Sequence, residues 1–198
     1  VTHMRAARFH GREDIRVEDV TQQDIGDNQV RLEIDTTGIC GSGLHEYSTG
    51  PNFIPADTPH PVTNQTAPVT MGHEFSGTIT EVGTNVTTRS WGETVAVNPI
   101  IYCGECVQCR HSNYSLCESF GFHGISGNGG GFAESVVVDA EKAVPLGNDV
   151  SLEYGALVEP LSVGLHAVRQ ADIDPGDTVA VFGSGPIGMA VIQSVRLA

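Results

Sequence analysis

Residues 178–188 read TVAVFGSGPIG. TVAVF has the β-branched, apolar texture of a short buried strand. Gly183-Ser184-Gly185-Pro186-Ile187-Gly188 follows directly and fits G-x-G-x-x-G, and MAVIQSVRLA continues as an apolar helix to Ala198. Strand, glycine turn and helix in that order open a βαβ unit. The turn suits a pyrophosphate, because backbone N–H groups and the helix dipole favour an anion at a helix N-terminus. Gly183, Gly185, Pro186, Ile187 and Gly188 are the candidate cofactor contacts. A tight turn with close helix–strand packing needs the same glycines, and the motif alone does not separate the two.

Upstream, DPGD (174–177) reads as a turn. Ser151 can cap a helix through LEYGALV, and Pro160 can open a second helix through LSVGLHAVRQA, since proline fits a first turn. Before residue 150 the texture is different. MRAARF (4–9), DIRVEDV (14–20), QVRLEIDTTG (29–38), FSGTITEVG (75–83) and ETVAVNP (93–99) alternate with period two between Gly, Asp and Asn turns, and FAESVVV (132–138) adds a strand. A β-barrel or sandwich-like domain over 4–150 is expected, with 151–198 as a helical connection and the start of an α/β unit. Residues 50–70 hold five prolines and no periodicity. A loop of that length is usually functional or disordered, and this one is expected to shape a substrate pocket. SGNGGG (126–131) reads as a flexible turn.

The chain has 198 residues, enough for one or two domains. Ten basic and 24 acidic residues leave a formal charge of −14. Nucleic-acid affinity comes mostly from neutralising phosphates, so nucleic acid is excluded as a partner and anionic membranes are disfavoured. Lys142 is the only lysine. Salt screens self-repulsion, so a dense acidic surface nearly free of lysine fits a halophilic, high-salt cytoplasm; an ordinary acidic protein has the same arithmetic. No run approaches the ~18 apolar residues of a membrane helix. The N-terminal VTHMRAARFHGREDIRVED carries charges where a signal peptide needs an apolar core. A soluble, unexported, cytoplasmic protein is expected.

Four of the five cysteines form Cys103-x2-Cys106-x2-Cys109-x7-Cys117. Four thiolates at this spacing can surround one tetrahedral Zn(II), and with all four ligands from one segment (lobe 100–120) the site is closed and structural. An iron–sulfur cluster shares the cysteine count, and a nucleic-acid zinc ribbon shares the spacing but not the charge. The fifth cysteine, Cys40, lies in GICGSGLHEY, and GHE supplies His73 and Glu74. Singly, Cys40 reads as a small buried apolar residue and His73 as a satisfied polar histidine. Together with a carboxylate they make the mixed ligand set of a catalytic zinc site with an open position. Glu159, in LVEPLS, is either a further ligand or a carboxylate at the positive end of the following helix.

GICGS-x-LHEY, MGHEFSG, the four-cysteine lobe, LVEPLSVGLHA and VFGSGPIG stand in the order found in zinc-dependent medium-chain dehydrogenases/reductases. The chain resembles that family over residues 4–198. GPNFIPADTPHP and VEPLSVGLHAVR resemble its butanediol dehydrogenase branch. The resemblance implies a β-rich GroES-like barrel with a structural zinc lobe, followed by the start of an α/β Rossmann domain in which the chain ends. It implies catalytic and structural zinc, NAD or NADP, and hydride transfer to or from an alcohol or vicinal diol of the butane-2,3-diol/acetoin type. Polyol, secondary-alcohol and threonine dehydrogenases are nearby branches, and a truncated, non-catalytic zinc-binding fragment is the rival reading. A homodimer or homotetramer is implied for a full-length relative. By the same resemblance Cys40, His73 and Glu159 bind the catalytic zinc, with Glu74 a neighbouring or alternating ligand. Ser42 begins a proton relay, His45 is its outer base, and Cys103, Cys106, Cys109 and Cys117 hold the structural zinc. The family usually has Asp where this chain has Gly43, and that Asp orients the ligand histidine. The carboxylate that selects NAD is expected ~20 residues beyond the glycine motif, past Ala198.

Overall fold

A computed structural model describes residues 2–197. In chain order the strands are β1 (His3–Gly11), β2 (Asp14–Thr21), β3 (Gln29–Thr37), β4 (Val69–Thr70), β5 (Phe75–Val82), β6 (Thr94–Val97), β7 (Ile100–Ile101), β8 (Gly121–Phe122), β9 (Ser135–Asp139) and β10 (Ala143–Pro145). The helices are α1 (Gly41–Thr49), α2 (Val107–Arg110), α3 (Leu152–Ala156), α4 (Val158–Gln170) and α5 (Pro186–Val195). Each of the six segments read as strands before residue 150 overlaps one of these strands.

β2-β1-β4 form one antiparallel sheet, β10-β6-β5-β3-β9 a second, and β7-β8 a short pair. Two register shifts along β3, at Arg31/Leu32 and Ile34/Thr36, bend it against β5; an extra residue on one strand increases local twist. Residues 132–134 then tie the two large sheets together. Ala7 N–H donates to the Phe132 carbonyl (2.7 Å), and Ile34 N–H donates to the Glu134 carbonyl (3.1 Å). The result is a curled half-barrel.

Alternation along the strands fills its interior. Val30, Leu32, Phe75, Ile79, Val95 and Val138 make the main core, and Phe9, Ile54, Val69, Met71 and Ile125 a second cluster. Gly72, at φ +94°, sits where a Cβ would come within 2.8 Å of the Phe132 amide nitrogen. Only glycine lets the chain cross there, and this crossing places His73 and Glu74 next to the barrel wall.

Several expectations need correction. SGNGGG is not a flexible turn. Ser126, Gly130 and Gly131 are buried, and Gly131 N–H donates to the Gly72 carbonyl at 2.8 Å. These residues are small because backbone packs on backbone. The 50–70 loop packs into the second core and does not line the cavity described below. Ile54 is inserted in the second core, and Thr63 and Gln65 hydrogen-bond to Ser126 and Asn128.

Ser151 caps α3 as expected, its hydroxyl accepting from Tyr154 N–H (3.3 Å). Pro160 does not open α4: the helix begins at Val158, and Pro160 occupies its first turn. Residues 178–183 form no strand. A ladder needs a second strand for its N–H and C=O groups, and none pairs with this segment among the described residues; Phe182 is 99% exposed. The turn and helix after it do form. Pro186 is at the first position of α5, and Gly188 packs on the Gly183 carbonyl, where no Cβ fits.

Candidate metal centres and active site

The four-cysteine lobe follows β7. Cys106 caps α2, and a single 3-10 turn (Tyr114–Leu116) returns the chain to Cys117. All four sulfurs lie within 4.8 Å of one another. Cys103 Sγ is 3.6 Å from Cys117 Sγ and 3.9 Å from Cys109 Sγ. Tetrahedral Zn–S bonds of ~2.3 Å require S–S edges of roughly 3.8 Å, so these two edges match a zinc tetrahedron and the remaining sulfurs lie within about an ångström of it. Backbone N–H groups point at them: Cys103 and Ser119 donate to Cys117 Sγ (both 3.3 Å), and Cys106 donates to Cys103 Sγ (3.4 Å). N–H donation from Glu118 and Cys109 pulls the Cys106 thiol down to about 6, toward the thiolate that a metal needs.

The lobe is fastened to the barrel by aromatic contacts. Tyr102 stacks on Tyr114 (centroids 4.2 Å), the Lys142 ammonium lies 3.8 Å over the Tyr102 ring, and the Tyr102 hydroxyl donates to Glu141 (2.7 Å). Here the chain's sole lysine is buried and structural.

The second cluster is assembled from two places. Cys40 stands at the N-terminus of α1, while His73 and Glu74 follow the glycine crossing just before β5. Their ligand atoms also lie within 4.8 Å of one another. Burial pushes the Cys40 thiol up, hydrogen bonds from Ser42 pull it back, and the charge on Glu74 raises it again. Burial also holds the His73 imidazole below its ordinary value, which keeps it neutral with a lone pair free for a metal. Ser42 Oγ and His73 Nε2 share a hydrogen bond of 3.1 Å.

Glu159 is outside this cluster. It lies in the first turn of α4, half-buried, and burial together with the nearby Glu74 charge pushes its carboxyl up to about 7. His45 is exposed on α1, one turn beyond Ser42, and its ring hydrogen-bonds to neither Ser42 nor any other described residue. Gly183, Gly185, Pro186, Ile187 and Gly188 form the turn at the N-terminus of α5.

A cavity of about 240 Å³ opens beside Cys40 and His73. Ile15, Ile39, Leu44, Tyr47, Met71 and Phe132 give it an apolar wall, and Gly43 adds a bare stretch of backbone. The chemistry on offer is a small, mostly apolar pocket with a thiol, an imidazole and a carboxylate converging at its edge, and a hydroxyl on the imidazole.

An alcohol dehydrogenase GroES-like domain model matches residues 26–148. The chain belongs to that family. The (R,R)-butanediol dehydrogenase of Bacillus subtilis (strain 168) is 48% identical over 195 residues, which are 98% of this chain and 55% of that protein. The crystal structure of 2R,3R-butanediol dehydrogenase from Bacillus subtilis superposes with a TM-score of 0.92 at 48% identity, again over 98% of this chain and 55% of the other. A cobalt- and zinc-bound thermostable alcohol dehydrogenase from Pyrobaculum aerophilum matches with a TM-score of 0.84 at 28% identity, over 99% of this chain and 57% of that one. The chain thus spans about half the length of the curated relatives it matches.

Sequence reasoning missed Glu46. It is fully buried on α1, and its carboxylate accepts N–H hydrogen bonds from Asn52 (2.9 Å) and Phe53 (2.7 Å). Its one signal in the sequence is isolation, as the only acid between Asp35 and Asp57. The apolar cavity wall was also missed, because its members come from four separate segments.

Proposed function

We propose that residues 1–198 supply the metal-holding, substrate-facing part of a zinc-dependent oxidoreductase that moves a hydride between an alcohol or vicinal diol and NAD(P). The observation that carries this reading is the convergence of Cys40, His73 and Glu74 on an apolar cavity, apart from a closed four-cysteine site. The 48% identity to a (R,R)-butanediol dehydrogenase supports a substrate of the butane-2,3-diol and acetoin type. The apolar wall agrees with it, since such a diol buries two methyl groups while presenting hydroxyls at the polar edge.

In this reading Cys40 and His73 would hold the catalytic zinc, Glu74 is the neighbouring or alternating carboxylate already beside them, and Glu159, outside the cluster but near enough to feel the Glu74 charge, would move in to complete the set. Bound there, zinc is a Lewis acid that lowers the pKa of a substrate hydroxyl. Ser42 Oγ would take up the hydroxyl proton at the pocket edge while giving up its own, and exposed His45, which makes no contact with Ser42, would receive that proton by way of the nicotinamide ribose and release it to solvent. Ile39, Leu44, Met71 and Phe132 exclude water from the reacting carbon, and the turn from Gly183 to Gly188 holds the dinucleotide pyrophosphate at the N-terminus of α5. Residues 4–150 act as the catalytic domain, and 151–198 as the connection and first part of the nucleotide-binding unit.

Metal analysis tests the reading. Under zinc saturation the chain is expected to bind two ions, one of them lost in Cys40→Ser. With cobalt replacing zinc, butane-2,3-diol is expected to shift the visible spectrum. A single ion per chain, or a spectrum indifferent to the diol, would sink it. We read the charge of −14 as a high-salt adaptation. The melting temperature should then climb from dilute buffer to molar KCl, and a flat profile contradicts that.

A further inference from the structure

Glu46 is the only buried residue of α1, the helix that carries Ser42 and two members of the cavity wall, Leu44 and Tyr47. The usual anchor of a short helix is an apolar stripe, and α1 has none: Leu44, His45, Tyr47, Ser48 and Thr49 are exposed. Its N-terminal cap, Cys40, makes no side-chain capping bond. Glu13 N–H ties the helix to the β1–β2 turn through the Tyr47 carbonyl (2.7 Å), and the one side chain the helix buries is a carboxylate turned into the protein.

Three successive amides surround that carboxylate. Asn52 N–H donates to Oε2 (2.9 Å), Phe53 N–H to Oε1 (2.7 Å), and Ile54 N–H reaches Oε2 at 3.5 Å. Consecutive N–H groups in a turn form a concave anion site. No Lys, Arg or His forms an ion pair with Glu46 among the described residues, so its partners are backbone amides. Gly50 closes the arrangement. Its N–H donates to the Glu46 carbonyl (2.9 Å), and a Cβ there would overlap that oxygen and crowd Oε2. Ile54, at the end of the amide run, is fixed in the second core beside Met71. The chain of contacts therefore runs from the core, through the amides of 52–54, to Glu46, and along α1 to Ser42 and His73 Nε2.

We propose that Glu46 is a positioning residue for the active site: its carboxylate, held by the amides of Asn52, Phe53 and Ile54, sets the placement of α1 and so of Ser42 on His73 and of Leu44 and Tyr47 in the cavity wall. The link to diol turnover rests on the function proposed above; the positional claim does not.

Glu46→Gln keeps the shape but turns an N–H donor toward an N–H donor. In the zinc-loaded 198-residue chain it is expected to speed amide exchange at Asn52 and Phe53 roughly 10–100-fold, the range expected for losing a hydrogen bond to a charged group. It should also move the His73 ring nitrogen resonance, which reads the Ser42 contact. Asp149→Asn, which removes an exposed carboxylate elsewhere, should do neither. In the cobalt-loaded chain the diol concentration giving half the spectral shift should rise at least about tenfold in Glu46→Gln. Unchanged exchange together with an unmoved His73 resonance overturns the proposal, as does faster exchange with His73 unmoved, which would leave Glu46 a loop anchor only. A wild-type spectrum indifferent to the diol defeats the diol reading alone, since the exchange and resonance results still decide Glu46. Should Glu46→Gln not fold, the wild-type chain decides: the Asn52 and Phe53 amides lie in an irregular loop and are expected to exchange at least ~100-fold slower than free amides, and rapid exchange there overturns the proposal.

Discussion

The two candidate metal centres of this chain are built in opposite ways. The four-cysteine lobe takes every thiol from residues 103–117, and short-range N–H donors accompany sulfurs that all lie within 4.8 Å of one another. The Cys40, His73 and Glu74 cluster draws on an extended N-cap and a glycine crossing more than thirty residues away, joined by the pairing of β3 with β5. The first is closed by local chain geometry. The second exists only once the barrel has curled. A site of the first kind exchanges metal for folding energy, whereas a site of the second kind inherits its geometry from a fold that stands without it.

That contrast breaks most visibly at Cys117. Cys117→Ser should release the lobe metal and lower the melting temperature more than any other single ligand change, because one of the four bonds that fold the lobe is weakened. Cys40→Ser should lose only its own ion and keep the circular dichroism of the wild type. A chelator should empty the Cys40 site at least about tenfold faster than the lobe. Greater destabilisation by Cys40→Ser, or equal loss from both sites, reverses the assignment.

Gly43 sharpens the comparison on the weaker side. It lines the cavity with His73, and a Cβ there would meet only Met71 Cε, at 3.6 Å. There is room for a carboxylate beside the imidazole, which would orient it for the metal. Gly43→Asp is expected to tighten zinc at the Cys40 site by ~10-fold, with no effect on the lobe. Equilibrium dialysis against a competing chelator reads the change, and no gain would mean that Ser42 already orients His73.

The smallest effect belongs to the seam between the centres. His123 lies on the segment joining Cys117 to the glycine crossing, and its Nδ1–H donates to the Asn128 carbonyl (2.9 Å). Burial depresses its pKa below 6.5. The unfolded chain therefore binds a proton more readily, so the stability conferred by the neutral ring is complete above pH 6.5 and declines as pH falls toward the depressed folded value. Melting temperatures from pH 8 to 5 should drop less steeply in His123→Gln than in the wild type. Parallel profiles would remove His123 from the acid response.

The sequence was informative where interactions are local. Cysteine spacing defined the lobe, period-two alternation found the strands of the half-barrel, Ser151 marked its helix, and glycine and proline marked the turn before α5. It misled where a segment depends on a distant partner. TVAVF has the composition of a strand, but composition supplies no neighbour for its hydrogen bonds. SGNGGG has the composition of a flexible linker, yet small residues also serve where two backbones touch.

By itself, then, the sequence determined the four-cysteine cluster and the β-rich character of residues 4–150, because cysteine spacing and side-chain alternation act over a few residues. Only the tertiary structure decided that Cys40 faces His73 and that Glu159 stands outside their cluster. It alone showed that Gly43 borders an open cavity, and that a buried carboxylate at Glu46 carries the helix above it. Those outcomes depend on how the curled sheets bring remote segments within a few ångströms, and on which polar groups are left to satisfy one another away from water.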